Sequence, residues 1–457
     1  MKMTKRLISL ALALTLTTSL FTGCGGKSTT DTSATNTSTE NSSTADSTTA
    51  ANDSTSAKPF DGAKINFIGF GAMWTNEIVA NLDAFKEKTG ITVNFQQLAN
   101  DQLSNKIAVS SAAGGKDLDV VAFRPLQETL LFSNNGWLEP LDSYIEKSAD
   151  FEYGDFIESG KTINTVGGKT YGIPLMTERE IVFYNKAMFK EAGISIPKTM
   201  DELMEAAKKL NKPDKGIAGI AIRGKASDAV TQFSGFLRAF GGDFIVDGKA
   251  AINTPEAIKA FQFYGDLLKN YGPAGVANMG WTETQALFTQ GKAAMRIDCD
   301  SQYGFALDPK SSLISDQVGY FTMPAGPAGA KPFNIVAWSL GISTGSQNKD
   351  ASWEFIKWSL GKEMDIKTQL VGNPSTRNST WTNPDANKNF PAELVAVINE
   401  TNPIGVGTDR PFMINVGEAR TVIGTVITAA IMGKDVTAAA NKANVDFQKI
   451  LDKEATK

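Results

Sequence analysis

The stretch 63–98, AKINFIGFGAMWTNEIVANLDAFKEKTGITVNFQQL, decides the fold class of this 457-residue chain. Its first nine residues carry apolar side chains at the spacing of a β-strand, with Ile65 and Phe67 on one face. A helix-like segment from Thr75 to Gly90 follows, and ITVNFQQL then alternates apolar and polar residues as a second strand would. A strand, a helix and a strand in this order predict an α/β fold with a parallel sheet.

Upstream of this unit, residues 25–58 have a composition that cannot form a core. Of these 34 residues 18 are Ser or Thr, none is aromatic, and the only aliphatic side chains are alanines. Such a segment buries too little apolar surface to offset the entropy lost on ordering. We therefore predict that residues 24–58 form a disordered linker, with a root-mean-square reach of about 30 Å.

The first 24 residues have the pattern of an export signal. A basic start at residues 2–6 precedes the apolar run Leu7–Leu14, and small residues stand directly before Cys24. The stretch resembles the lipobox of bacterial lipoproteins, although Phe21 stands where those proteins most often have leucine. The resemblance implies removal of residues 1–23 and acylation of Cys24, with palmitate among the expected acyl chains. The alternative is an ordinary secretory signal with an incidental cysteine.

The composition limits what the rest of the chain can do. Residues 59–457 are too many for one ordinary core, which predicts two lobes. The 45 basic and 49 acidic residues nearly balance, and no basic face indicates nucleic-acid binding. Histidine is absent, which excludes serine–histidine, cysteine–histidine and histidine–metal chemistry. With Cys24 acylated, Cys299 has no partner for a disulfide or a metal site, so we expect neither a metal nor a cofactor. Carboxylate chemistry stays open as a route to an enzyme.

Two later helices are marked by their own capping residues. Thr199 and Glu202 stand at capping-box spacing before a helix with one apolar face. Thr254 offers a second cap, Pro255 suits the first helical position, and Gly272 suits the end of the helix.

A family resemblance rests on several stretches that occur in order along the chain. They are GWLEPLD from Gly136, YGIPLMTEREIVFYNKAMFKEAGI from Tyr171, PKTMDEL, FGGDFIVDGKAAINTPEAIKAFQFY, WTETQALFTQGKAAM and SQNKDASWEFIKW. Together they resemble the extracellular solute-binding proteins of ABC importers, the class that includes maltose- and polyol-binding proteins. One departure is Met200, where the family usually has tryptophan. The resemblance covers nearly the whole body of the protein.

This resemblance implies a two-lobed, periplasmic-binding-protein-like α/β fold of type II. Each lobe would be a mostly parallel sheet flanked by helices, with the ligand cleft at the hinge. The chain would cross between lobes near residues 173–178, 296–301 and 338–343. The expected lobes are residues 59–174 with 299–340, and residues 175–298 with 341–457.

The implied function is capture rather than catalysis. We expect a monomeric, lipid-anchored receptor on the outer face of the cell membrane, which binds a carbohydrate or polyol by hinge closure and delivers it to the transmembrane subunits of an ABC permease. A polyamine-binding protein of the same fold is an alternative, since acidic residues would suit a cation. A carboxylate-dependent glycoside hydrolase and a sensory or adhesive surface protein are alternatives from other classes.

Three tryptophans are candidates for stacking on the apolar face of a sugar. Trp74 follows the first strand, where α/β sheets place ligand contacts, and the alternative is a hydrophobic staple for the next helix. Trp281 begins a helix at a position where the family often has a stacking aromatic. Trp338 lies at a predicted crossover but shares strand parity with apolar neighbours, which favours burial.

Five polar residues are candidates for the rim of the site. Glu178 belongs to a charge cluster at a predicted crossover, where the family contacts ligand; a solvated cluster is the alternative. Asp298 and Asp300 stand two apart, so they would share one strand face, as acceptors for sugar hydroxyls or as a structural turn. Arg124 ends a strand, and Arg377 stands in a loop that resembles a family loop near the cleft. A salt bridge is the alternative for both arginines.

Overall fold

The computed structural model describes residues 58–455. The predicted signal, Cys24 and the predicted linker up to residue 57 lie outside the described residues. In the part of the chain that is described, no helix combines the length and the apolar character needed to cross a membrane.

The strands are numbered in chain order. They are β1 Lys64–Gly69, β2 Thr92–Gln97, β3 Val120–Phe123, β4 Thr165–Val166, β5 Lys169–Thr170, β6 Ile173–Asn185, β7 Ile245–Val246, β8 Lys249–Ala250, β9 Met295–Cys299, β10 Val318–Thr322 and β11 Asn334–Ile342. The α-helices follow the same rule. They are α1 Met73–Ala80, α2 Leu82–Thr89, α3 Asn100–Ala112, α4 Pro125–Asn134, α5 Asp142–Glu146, α6 Glu158–Ile163, α7 Lys186–Ala192, α8 Met200–Leu210, α9 Ala226–Ala239, α10 Pro255–Tyr271, α11 Trp281–Thr289, α12 Tyr303–Leu307, α13 Lys349–Ser359, α14 Lys362–Leu370, α15 Asn378–Trp381, α16 Pro384–Asn387, α17 Ala392–Thr401, α18 Val416–Ile431 and α19 Val436–Ala455.

The largest sheet has the strand order β10-β6-β11-β3-β1-β2, and β9 pairs with β6 off this path. β1 runs parallel to β2 and β3, with Ile65 opposite Val93, so the predicted strand–helix–strand unit is confirmed. The other pairs, β11 with β3 and β6, and β6 with β9 and β10, are antiparallel. The sheet is therefore mixed, and the prediction of a mostly parallel sheet was wrong. Strand periodicity in a sequence identifies a strand, but it does not give the direction of the neighbouring strands.

The 13-residue strand β6 belongs to two parts of the molecule. Its residues 173–179 pair with β11, which in turn pairs with β3. Its residues 180–185 lie between β9 and β10. One unbroken strand thus connects two groups of strands.

Each group of strands packs against its own hydrophobic core. We define the first lobe by the cluster that includes Phe67, Val121 and Leu340. We define the second lobe by the cluster that includes Val182 and Phe233, to which α8, α9, α10, α18 and α19 contribute. A third cluster covers the other face of the second part of β6, because side chains alternate along a strand. The two largest clusters are separate from each other, and they define the two lobes of the body.

The lobes differ from the predicted limits in two places. Helix α13 contributes Trp353 and Phe355 to the first core, whereas the predicted limits place residues 341–457 in the other lobe. Strand β10 pairs with residues 181–185 of β6, whereas the limits place residues 299–340 in the first lobe. These differences arise because packing partners far away in sequence decide the lobe of an element.

The capping residues mark the helix boundaries as predicted. The Thr199 hydroxyl accepts a hydrogen bond from the Glu202 N–H at 3.2 Å, and the Glu202 carboxylate accepts one from the Lys198 N–H at 2.6 Å. Thr254 caps α10 through the Ala257 N–H at 3.2 Å, and Gly272 ends that helix. Capping satisfies N–H groups that have no partner inside the helix.

Candidate functional site

A cavity of about 440 Å³ lies where the two lobes meet. The first lobe contributes Met73 from α1, and β6 contributes Met176 and Glu178. The second-lobe side contributes side chains from the loop before α9, from α11 and from the turn after β9. A cavity of this size, lined by parts of both lobes, falls in the usual range for small-molecule sites.

One wall of the cavity is apolar and exposed. Trp281 is 41% exposed and Phe305 is 51% exposed, and their ring centroids are 6.3 Å apart at an interplanar angle of 43°. Trp281 is the first residue of α11, whose start is fixed by the hydrogen bond from the Gly280 N–H to the Glu283 carboxylate at 2.8 Å. Exposed aromatic rings at the rim of a cavity indicate a binding surface.

A second part of the lining, the polar wall, carries polar groups. Glu178 accepts a hydrogen bond from the Ser301 hydroxyl at 2.9 Å, and burial raises the pKa of its carboxyl group although this hydrogen bond opposes the change. Arg223, Gln302 and Asn373 also line the cavity. The cavity therefore offers aromatic faces and both hydrogen-bond donors and acceptors.

Asp298 lies behind this wall and holds it in place. It is fully buried and accepts hydrogen bonds from Arg223 Nε at 3.1 Å, from Arg296 Nη2 at 2.6 Å and from Gln302 Nε2 at 3.1 Å. A second contact, from Arg223 Nη2 to the other carboxylate oxygen, makes the Arg223 interaction bidentate. Burial opposes ionisation, yet the charges of Arg223 and Arg296 hold the pKa of Asp298 below its usual range.

Asp300 does not share a strand face with Asp298. β9 ends at Cys299, and Asp300 begins a helical turn. Its carboxylate accepts hydrogen bonds from the Arg179 N–H at 2.8 Å and from Arg179 Nη1 at 2.9 Å, and both residues are buried. The two aspartates are thus occupied by different arginines, and neither lines the cavity.

The structure brings Glu178 and Trp281 to the cavity, but it buries the other two candidate tryptophans. Trp74 is 1% exposed and packs edge-to-face against Phe67, with ring centroids 6.2 Å apart. Trp338 stacks on Phe70 with centroids 3.7 Å apart. Both tryptophans belong to the first core. For Trp338, this agrees with the burial that its strand parity favoured.

The two candidate arginines hold loops and helix ends instead of lining the cavity. Arg124 pairs with Glu128 at 3.1 Å at the start of α4. Arg377 is fully buried, donates to the carbonyl oxygens of Leu360 at 3.0 Å and Phe151 at 2.9 Å, and lies over the Phe156 ring at 4.1 Å. The alternative of a structural arginine fits both geometries.

Sequence patterns did not identify several of the residues that line the cavity. Arg223 follows the apolar stretch GIAGIAI, and its partner Asp298 is 75 residues away, so no local pattern marks it. Phe305 and Met73 are exposed apolar residues, which sequence does not distinguish from buried ones. Within residues 58–455, no three residues of the types His, Cys, Asp and Glu form a group that could hold a metal ion.

Comparison with known proteins gives a family for this geometry. The family model described as bacterial extracellular solute-binding protein matches residues 72–366. Among relatives, the mannitol-binding protein of Pseudomonas aeruginosa is 30% identical over 301 residues, which cover 64% of this chain and 68% of that protein.

Solved structures agree with this result. An ABC transporter solute-binding protein of Agrobacterium radiobacter K84 in complex with ribitol has a TM-score of 0.73 and 26% identity, and the match covers 86% of this chain and 100% of that one. One from Agrobacterium vitis S4 with bound D-mannitol has a TM-score of 0.69 and 28% identity, with 86% and 99% covered. These likenesses confirm the predicted two-lobed type II fold. Because the family model spans more than half of the sequence, the chain belongs to the bacterial extracellular solute-binding proteins.

Proposed function

We propose that this protein is the receptor of an ABC importer, and that it binds a polyol or a small sugar in the cavity between its lobes. The observation that carries the proposal is the pairing of the Trp281 and Phe305 rings with the polar wall of Glu178 and Arg223. A polyhydroxylated molecule has C–H faces that suit aromatic rings and hydroxyl groups that suit such a rim. The relatives named as binding mannitol and ribitol support this ligand class.

Hinge closure would supply the affinity. Because β6 runs through both lobes and the cavity is lined by both, a ligand that contacts both walls stabilises the closed arrangement. The closed receptor would then deliver its ligand to the transmembrane subunits of the permease.

A glycoside hydrolase fits this cavity less well. A carboxylate-dependent hydrolase needs two carboxyl groups about 5 Å or more apart across the substrate. Among the described residues that line the cavity, Glu178 is the single carboxylate. Asp298 and Asp300 are engaged by arginines. We therefore propose binding without turnover.

A polyamine is also disfavoured by the geometry. The acidic groups that suggested a cation are Glu178, Asp298 and Asp300, and arginines neutralise the two aspartates. Arg223 lines the same cavity and would repel a polyamine.

Titration calorimetry of the purified protein with D-mannitol, ribitol, monosaccharides, maltose and spermidine tests the proposal. We expect micromolar binding of at least one polyol or sugar, which corresponds to about −8 kcal/mol, with no release of product over time. A hundredfold excess of that ligand over its dissociation constant should raise the free energy of unfolding by about 2.7 kcal/mol. Binding of spermidine alone, or steady formation of reducing sugar, would contradict the proposal.

Replacing Trp281 with alanine should weaken binding of that ligand by about 1–3 kcal/mol, because an aromatic contact that is desolvated in the complex is lost. Calorimetry measures the loss. Leu313→Ala is the matched control, since Leu313 is 79% exposed and lies outside the cavity lining. Equal affinity of the Trp281 variant and the control would remove Trp281 from the site.

We also propose that Cys24 anchors the protein to the outer face of the cell membrane and that the receptor acts as a monomer. The basic start, the apolar run and the small residues before Cys24 support the anchor. Multiple acyl chains bind a membrane firmly, at about 0.8 kcal/mol per buried methylene. Cys24→Ser should therefore move the protein from the membrane fraction to the soluble fraction, while its ligand affinity stays the same. Retention of the variant in the membrane fraction would argue against acylation.

A further inference from the structure

We propose that the cavity prefers a polyhydroxylated anion, a sugar acid or a sugar phosphate, over the neutral polyol with the same carbon skeleton. This inference rests on the proposed function of the cavity and narrows its ligand class. It comes from counting the charges that lie in and behind the polar wall.

The buried carboxylate of Asp298 pairs with two arginines at the polar wall, one of which lines the cavity. Asp298 pairs with Arg223 and with Arg296, and Arg223 lines the cavity. Arg296 is fully buried, and its Nε and Nη1 atoms have no hydrogen-bond partner among the described residues. Two positive charges therefore share one negative charge, so the set of Arg223, Arg296 and Asp298 has a net positive charge. Part of that charge is on Arg223, which lines the cavity.

A second set repeats this arrangement next to helix α9. Asp409 is fully buried and accepts a hydrogen bond from Arg410 Nε at 2.5 Å. Although burial opposes ionisation, the charges of Arg410 and Arg420 lower the pKa of Asp409 to about 2. Both arginines reach the Thr231 hydroxyl, Arg410 at 3.5 Å and Arg420 at 3.2 Å. Here too, two arginines face one carboxylate.

The two sets act on each other. Burial, and after it the like charges of Arg410 and Arg223, lower the pKa of Arg420 to about 10 against the pull of Asp409 and Asp228. At Arg410, burial and the like charge of Arg223 lower the pKa, but Asp409 and Glu178 outweigh them and raise it above its usual value. The two sets are thus close enough for their charges to interact.

The neighbouring charged groups do not remove the surplus. Arg179 with Asp300, Arg238 with Asp243, and Lys225 with Asp228 are pairs of one positive and one negative group. They leave the balance of four arginines against two aspartates unchanged. Glu283, next to Gly280, is exposed to solvent, which screens its charge.

Two glutamates could reduce the surplus only in ionised form. Both carboxyl oxygens of Glu180 are buried without a hydrogen-bond partner among the described residues, and the group packs directly against Gly235. An ionised carboxylate is costly in such surroundings, and burial raises the pKa of Glu180 well above its usual range. Glu178, when ionised, removes one of the two surplus charges. The wall stays positive with Glu178 in either form.

A ligand carboxylate or phosphate would neutralise this wall. Guanidinium groups bind both anions with paired, charge-assisted hydrogen bonds. The aromatic wall of Trp281 and Phe305 would meanwhile contact the carbon chain of the same ligand. A neutral polyol can form hydrogen bonds at the polar wall, but it cannot neutralise the charge there.

Calorimetry on matched pairs tests the inference: D-mannitol with D-mannonate, ribitol with D-ribonate, D-galactose with D-galacturonate, and D-mannitol with D-mannitol 1-phosphate. We expect the anion to bind at least about tenfold tighter in one or more pairs, and this preference to shrink at high salt because ions screen charge. Comparison of the pairs that contain a carboxylate with the pair that contains a phosphate then identifies which anion the cavity binds. Equal or tighter binding of the neutral member in every pair overturns the inference and leaves the proposed function intact. No binding by any of these compounds, or by the other sugars and polyols above, overturns the proposed function as well.

A charge variant outside the cavity lining provides the second test. Arg420→Gln removes one surplus charge and should lower the ratio of anion affinity to neutral affinity at least about threefold. Arg420→Lys keeps the charge and should keep the ratio. Trp281→Ala should lower the affinity for the anion and for its neutral partner by a similar factor, because the ring contacts the carbon chain that both ligands share. An unchanged ratio in a folded Arg420→Gln protein would contradict the electrostatic origin of the preference.

Discussion

Asp298→Asn should lower the free energy of unfolding by about 3–5 kcal/mol, because it leaves Arg223 and Arg296 without their shared counter-charge in a buried site. Asparagine has nearly the same volume as aspartate, so packing is preserved and the loss reports on charge. Urea unfolding of both proteins at neutral pH measures the difference.

The matched control for this variant is Asp316→Asn, which makes the same chemical change at an exposed site. It should alter the free energy of unfolding by less than about 0.5 kcal/mol. A ligand-contact role for Asp298, as expected from the sequence, would instead leave stability nearly unchanged and lower affinity alone. A loss below about 1 kcal/mol would thus contradict the structural role assigned to Asp298.

Asp365 should make the protein less stable as the pH rises from about 4 to about 6. It is buried in α14 and accepts hydrogen bonds from the hydroxyls of Ser375 at 2.6 Å and Thr380 at 2.5 Å. Burial raises its pKa to about 6 from an ordinary value of 3.8, and the hydroxyl groups offset only part of this rise. The folded protein therefore keeps a proton that the unfolded chain has lost, so the stabilisation is complete below pH 4 and is lost by pH 6.

The expected size of this effect is about 3 kcal/mol, since a pKa difference of one unit corresponds to about 1.4 kcal/mol. Asp365→Asn removes the titration and can keep both hydroxyl hydrogen bonds through its amide oxygen. Measured by urea unfolding, the stability of the variant relative to the original protein should rise by about 3 kcal/mol between pH 4 and pH 7. Asp316→Asn should show no such trend, and parallel curves for Asp365→Asn and the original protein would refute the prediction.

The parts of the fold that were predictable depend on neighbours in sequence. Alternation in ITVNFQQL, the caps at Thr199 and Thr254, and the glycine at 272 each act within a few residues, and the structure confirms all of them. The antiparallel pairing of β6 with its neighbours and the lobe membership of α13 and β10 depend on contacts between distant segments. They could not be obtained from these local patterns.

Trp74 shows how small a change separates a core residue from a site residue. Helix α1 begins at Met73, which lines the cavity, and the next residue, Trp74, packs in the first core. At α11 the helix begins with Trp281 itself, and the ring stays exposed. A one-residue difference in the start of a helix is beyond the precision of sequence patterns.

The charged candidates depended on partners that only the fold reveals. Asp298, Asp300 and Arg377 look alike in sequence to exposed polar residues, yet each is buried with groups that lie far away along the chain. A buried charge needs a partner, and the sequence does not say which residue provides it. Only Glu178 of the acidic candidates reaches the cavity.

Each of the two cores is built from two separate stretches of the chain, and this has a consequence for how such receptors diversify. The first core combines residues 65–175 with residues 338–364, and the second combines residues 182–323 with residues 413–450. A single recombination between two genes of this type, anywhere in codons 182–323, would combine part of each core from one parent with the rest of that core from the other parent. We therefore expect new ligand preferences to arise more readily by point substitution at the cavity than by exchange of whole lobes between genes.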